Sequence, residues 1–355
     1  MFQFIVKRLL LAIPVLFGIL LVTFLLARAI PGDPCRSIIG EKATAEACAA
    51  FEEAKGLNEP LPVQFGIYMR DILRGDLGDS IRFSRPVTQI LVERLPMTIE
   101  LASAALFIAV VVGIGLGVAS AMRHNTSVDV ATMMVANVGV SMPVFWLGLM
   151  LIWLFAAQLG WLPPSGRLTA GLSSEPFYEV WGLEFTEGSF PFLTVEFISN
   201  HFIFNSLITG DWEVMWDAIK HLILPAVALS TIPMAIIARI TRSSLLDVLG
   251  QDYVRTARAK GGMERRVVVR HGLRNALLPV VTIIGLQLGA LLAGAVLTES
   301  VFGLAGVGTM LFEAITARDF PIIQGFVVII ATGYVLINLL VDISYAYLDP
   351  RIRLE

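Results

Sequence analysis

Charge is scarce in this 355-residue chain, with Asp, Glu, Lys and Arg together at 15%, where a soluble domain carries about 25%. The AVILMFWYC fraction is 56% and the mean hydropathy is +0.77. That balance excludes a soluble globular protein, and it excludes a disordered chain, which needs low hydrophobicity and high charge. The formal net charge of −3 supplies no basic field for nucleic acid. Cysteine is nearly absent: Cys35 and Cys48 are the two that occur. Two thiols without a nearby histidine fall short of the four ligands of a structural zinc site, so no metal is expected. The four histidines, His124, His201, His221 and His271, lie far apart, with no H-E-x-x-H and no G-x-S-x-G. Nothing therefore argues for a membrane enzyme. The dipeptide Gly-Lys never occurs, so there is no G-x-x-x-x-G-K-S/T phosphate loop and the chain cannot hydrolyse ATP by itself.

Long apolar runs are what the chain has instead. A helix that crosses a bilayer needs about 20 apolar residues. Windows free of Asp, Glu, Lys and Arg run over Leu9–Ala27, Leu101–Met122, Val130–Gly166, His221–Ala238, Asn275–Thr298 and Phe320–Val341. The apolar part of the third ends near Leu159. These runs are too long for barrel strands and do not alternate, so they predict six helices. A seventh span near 188–210 is rejected, because only 14 uncharged residues separate Glu196 from Asp211.

Loop charge orients the spans. Arg239 to Arg274 holds nine Lys or Arg and three acids, which places it in the cytoplasm. Residues 160–220 hold eight acids and two bases and belong outside. Six spans satisfy both and put both termini in the cytoplasm, consistent with Lys7, Arg8, Arg351 and Arg353. The loop 28–98, with nine bases and ten acids, is long enough to translocate regardless of charge. The first apolar run has 19 residues, longer than the 7–15 or so of a signal peptide, so a retained anchor is expected.

The organisation expected is therefore a first transmembrane helix in 1–29, an extracytoplasmic loop in 30–98, a five-helix core in 99–348 and a cytoplasmic tail in 349–355. Cys35 and Cys48 share the first outer loop, where a disulfide is favoured over two free thiols. In that loop, residues 44–55 favour helix and residues 75–80 a turn. In the second outer loop Trp161, Trp181, Trp212 and Trp216 read as interface anchors ahead of ligand-stacking groups.

The basic loop is the most informative stretch. Asp252 opens a short helix, Tyr253 to Lys260, and Gly261-Gly262 ends it. A second basic helix, Glu264 to Arg274, feeds the fifth span. Tyr253, Ala257 and Gly261 fall on one face, surrounded by Arg255, Arg258 and Lys260. A basic loop can simply set topology and touch anionic lipid. The small-residue spacing favours docking of a cytoplasmic partner.

This stretch resembles the cytoplasmic loop of ABC-importer permeases, of general form E-A-A-x-x-x-G followed by I-x-L-P. Arg255-Thr256-Ala257 stands for E-A-A, Gly261 for the glycine and Leu277-Leu278-Pro279 for the end. Arg255 in place of an acid, and the longer distance to Pro279, are similar to the dipeptide/oligopeptide branch. So are Gly75-Asp76-Leu77-Gly78 with Arg85-Pro86-Val87, Arg94-Leu95-Pro96, Phe145-Trp146-Leu147-Gly148, Gly160 to Gly166, and Leu348-Asp349-Pro350-Arg351. Two departures, the long 170–215 segment and Leu304-Ala305-Gly306 in place of Trp-Pro-Gly, lie on the outer side. The resemblance is to the first of two permease subunits.

The resemblance implies an all-α membrane fold of six helices and a bacterial inner-membrane location. It also implies a homologous second permease, two ATP-binding cassette subunits that bind ATP and Mg, and an extracytoplasmic substrate-binding protein. It implies that Asp252, Tyr253, Arg255, Thr256, Ala257, Arg258, Ala259, Lys260, Gly261 and Gly262 form the ATPase-docking helix. The cargo implied is a di- or oligopeptide, with nickel complexes, opines and glycan-derived solutes sharing this permease type.

From the residues alone, candidate pathway groups are the uncharged polar residues in the spans: Asn137, Ser141, Thr282, Gln287 and Asn338. Each is more commonly an interhelix hydrogen bond. Gly113, Gly115 and Gly117, and the Gly285/Gly289 pair, permit close helix approach within the subunit or between subunits. Pro14, Pro143, Pro225 and Pro233 are candidate kinks. Gly303 to Gly308 reads as a tight turn outside the membrane. The alternative function is an ion-coupled secondary transporter, which would place an acid mid-membrane; the six windows hold none.

Overall fold

A computed structural model describes residues 2–29, 44–54, 56 and 58–348. Every element among the described residues is helical, apart from an isolated bridge between Asp79 and Pro86. The first apolar run forms α1 (Phe2–Ala29). The Ala/Glu-rich stretch forms α2 (Ala45–Ala54), and α3 (Leu61–Leu73) follows. Phe65 and Tyr68 of α3 meet Phe24 of α1 at ring separations of 5.3 and 5.6 Å. Gly75 and Gly78 take positive φ of 80° and 79°, which only glycine adopts freely, and turn the chain into α4 (Val87–Met122).

α4 is longer than its charge-free window by more than three turns, and so is α10 (Trp212–Leu249), whose window is His221–Ala238. These two pack along most of their length and form the centre of the bundle. In the most apolar part of α10, 72% of residues are buried, against 17% in α1 and 11% in the last span. Small residues allow it. A Cβ on Gly113 would lie 2.8 Å from the Met234 carbonyl, and one on Gly117 2.6 Å from that of Ala238.

The third window does not make one continuous span. It forms α5 (Ser127–Ser141) and α6 (Val144–Leu151), the latter continued by a π-helical turn over Ile152–Gln158, with a bend of 101° between the halves. Met142 is extended, at φ −90° and ψ 133°, because the ring of Pro143 disfavours helix in the preceding residue. Pro225 and Pro233 leave α10 unbroken; both are buried among the neighbouring helices.

The segment rejected as a seventh span is two short helices, α8 (Phe190–Ser199) and α9 (Phe202–Thr209), beyond a single turn, α7 (Phe177–Val180). After α10 come α11 (Asp252–Ala259), α12 (Glu264–Arg266), a second π-helical turn over Val267–Leu273, and α13 (Arg274–Gly294). The basic helix expected over 264–274 is thus mostly π-helix. α14 (Val296–Val301), α15 (Val307–Ala317) and α16 (Phe320–Leu348) complete the chain. A Cβ on Gly285 would overlap Val341 and one on Gly289 would overlap Tyr334, so the G-x-x-x-G seats α13 on α16 within the subunit.

Candidate docking site and the charges that level the spans

α11 projects from the end of the bundle, against the second π-helical turn and the last turns of α10. Asp252 lies in its first turn, where a carboxylate favours the helix dipole. Its last turn closes when Gly261 adopts φ +78° and Gly262 N–H donates to the Ala257 carbonyl at 3.2 Å. Val254 is the anchor: it is 0% exposed. Sequence reading missed it, although it is the only branched aliphatic residue in the helix.

The other residues of the site lie around that anchor. Asp252, Tyr253, Arg255, Thr256, Arg258, Ala259, Lys260, Gly261 and Gly262 are exposed, and Ala257 is half-buried. The stripe of Tyr253, Ala257 and Gly261 therefore lies mostly on the free surface, with Ala257 at its margin. Arg258 bridges the glycine turn, donating to both carboxylate oxygens of Glu264 at 3.0 and 2.7 Å. Those bonds raise the Arg258 guanidinium above its ordinary pKa. Tyr253 turns its hydroxyl back toward Asn275 and the His271 carbonyl.

The candidate pathway residues do not share a bonded cluster. Asn137 and Ser141 are exposed on α5; the Ser141 hydroxyl donates to the Asn137 carbonyl at 2.9 Å, and Arg239 donates to the Asn137 amide oxygen at 3.1 Å. Thr282 donates to Leu278 in its own helix, while Gln287 and Asn338 are half-buried. Cys48 lies on α2 and is disulfide-bonded; Cys35 lies outside the described residues.

The charges that border the apolar windows have their own pattern. Arg8, just before the first window, pairs with Asp342, just after the sixth, at 3.1 Å. Asp129, just before the third, takes two bonds of 2.8 Å from Arg242, beyond the fourth, and further bonds from Ser120 and the Asn125 N–H. These contacts lie at the α11 end.

At the other end, Glu100 pairs with Arg167 at 2.9 Å and accepts the Ile203 N–H at 3.0 Å. Arg167 also donates to the Asn200 carbonyl and stacks 3.6 Å over the Phe202 ring. Burial pulls its pKa down, and Glu100 opposes that. Glu299, 0% exposed, accepts from Thr98 at 2.7 Å and from the Thr309 N–H at 3.0 Å. Asp319, equally buried, accepts from the Ser80 hydroxyl at 2.6 Å and the Arg82 N–H at 3.0 Å. The glycine-rich segment makes room for this, since a Cβ on Gly306 would lie 2.5 Å from the Glu299 carboxyl. Sequence reading used these acids as window boundaries and missed that Glu299 and Asp319 are buried; their adjacency to turn residues and small residues was the available signal.

Comparison with known proteins agrees along the whole length. The family described as "Binding-prot-dependent transport system membrane comp, N-term" matches residues 1–102, and "Binding-protein-dependent transport system inner membrane component" matches residues 113–354. The dipeptide transport system permease protein DppB of Alkalihalophilus pseudofirmus is 47% identical over 353 residues, covering 99% of this chain and 100% of the relative. The di/tripeptide transport system permease protein DppB of Pseudomonas aeruginosa is 42% identical over 354 residues, covering 99% of each. The dipeptide transport system permease protein DppB of Escherichia coli has the same identity and coverage. The chain therefore belongs to the family of binding-protein-dependent transport system inner membrane components, the permease subunits of ABC importers.

Proposed function

We propose that this permease forms half of the translocation pathway for di- or oligopeptides, delivered by an extracytoplasmic binding protein. It works with a homologous second permease and two ATP-binding cassette subunits. ATP and Mg are held by those subunits, which supply the hydrolysis. α11 is the element that seats in an ATPase groove. The observation that carries this reading is a short exposed helix, pinned by Val254, standing between two spans in a chain 47% identical to a dipeptide permease along its length.

The orientation proposed is α11 and both termini in the cytoplasm. The pairing of the charged borders supports it. Arg8 at the start of the first span touches Asp342 at the end of the last, so an even number of crossings lies between them. Asp129 and Arg242 level the start of the third span with the end of the fourth, at the same end as α11. The division into a first helix, an outer loop, a five-helix core and a short tail follows from that orientation, with Cys35 and Cys48 joined in the outer loop.

The test is co-purification from native membranes of the wild type beside Thr256→Glu/Ala257→Glu. The expected result is a second permease and ATPases with the wild type, and loss of the ATPases alone in the variant. Intact wild type recovered without ATPase would overturn the docking assignment.

A further inference from the structure

We propose that Tyr253 and Asn275 form a polar clasp that carries movement of α11 into the fifth span, α13. The proposal rests on α11 being the ATPase-docking helix. Two routes join α11 to α13. The covalent one runs through Gly261-Gly262 and a helix of three residues, α12. A glycine pair resists rotation weakly, and the Arg258–Glu264 pair that spans it is exposed, so this route passes on little of a displacement of α11. The second route bypasses it.

Asn275 is the second residue of α13 and the first of its charge-free window. Its Nδ2 donates to the Tyr253 hydroxyl at 2.7 Å and to the His271 carbonyl at 3.3 Å. The Tyr253 hydroxyl donates in turn to the same carbonyl at 3.3 Å. The three groups close a ring across 22 residues of sequence. Each partner is used within its capacity: two N–H from the amide, one O–H, and two lone pairs on the carbonyl.

The ring closes on a π-helical turn. His271 belongs to Val267–Leu273, where wider i→i+5 pairing marks a point of local rearrangement. The turn is braced on one side, since a Cβ on Gly272 would lie 3.1 Å from Leu245 and 3.2 Å from Leu249 of α10. With that side held and Tyr253 fixed to the other, a shift of α11 changes the π turn and tilts the first turn of α13. Tyr253 and Asn275 are positioning residues for the transport cycle.

The experiment uses the complete complex of both permeases and both ATPases in lipid, with and without a non-hydrolysable ATP analogue. Backbone hydrogen exchange is read by mass spectrometry over 252–259 and 264–280. In the wild type the nucleotide is expected to change exchange in both segments. In Tyr253→Phe and in Asn275→Leu the response of 252–259 should persist, while that of 264–280 falls at least threefold. The double variant should match the single ones, because either change opens the same ring. An undiminished response of 264–280 in both single variants would overturn the clasp and leave docking intact. A wild type with no response in 252–259 would overturn docking and the clasp with it. Loss of ATPases from Tyr253→Phe on purification would make Tyr253 a docking contact, and would also overturn the clasp.

Discussion

The bundle and the short helix α11 hold charge in opposite ways. In the bundle, Glu299 and Asp319 are buried and Glu100 and Arg167 are largely shielded, each bonded to a group distant in sequence. On α11, Arg255–Asp252 and Arg258–Glu264 are exposed pairs within a few residues of each other. Removing one partner of a buried pair costs about 3–5 kcal/mol, while an exposed pair is worth about 0–1 kcal/mol. The charges of the bundle are a lock that fixes which spans are neighbours. α11 is a surface of exposed charge held by a single buried anchor, Val254.

That contrast breaks most severely at Arg167. Arg167→Met should leave the shielded Glu100 carboxylate without its paired charge, destabilising the subunit by about 3 kcal/mol, read as a lowered Tm of the purified complex. Gly306→Ala should come next. Its methyl would displace the Glu299 carboxyl, at a cost of about 1–3 kcal/mol, and Glu299→Gln should not add fully to it because both open one site. Val254→Ala should lower ATPase recovery on co-purification while moving the bundle's Tm less than Gly306→Ala does, since Val254 holds only α11. Arg258→Ala should shift Tm by the least, within about 1 kcal/mol. If Arg258→Ala matched Arg167→Met, the division between lock and surface would be lost. On α2, Cys48 should resist alkylation until a reductant is added, as mass spectrometry would detect, with little change in bundle Tm.

Much of this was legible in the residues. Six windows appear as five continuous apolar helices and one bent pair. The helix over 44–55, the turn at Gly75 and Gly78, and the glycine stop after α11 follow from local propensity and backbone freedom. The break at Pro143 was legible only as a candidate among four prolines, because whether a proline breaks a helix depends on what re-satisfies its backbone. Val254 does not stand out in the sequence, because the small residues point to the Ala257 face and period alone does not say which face of so short a helix is inward.

The candidate site divides in the same way. The short helix proposed to dock, α11, forms where the loop pattern puts a helix, since the glycines that close it act locally. Of the candidate pathway residues, Asn137 bonds to Ser141 and Arg239, and Thr282 bonds within its own helix. Side-chain polarity marks a group that must find a partner and leaves the partner unnamed.

The sequence by itself determined that this chain crosses a membrane in several helices, that one basic loop carries a short capped helix, and that hydrolysis belongs to other subunits. Burial of about 20 apolar residues per span and loop charge are sums over residues, readable without coordinates. Only the tertiary structure decided that Asp129, Glu299 and Asp319, which border the windows, are buried, that Gly285 and Gly289 serve α16, and that Tyr253 reaches Asn275. Those outcomes depend on which helices touch, and contact between residues as distant as Thr98 and Glu299 is a property of packing.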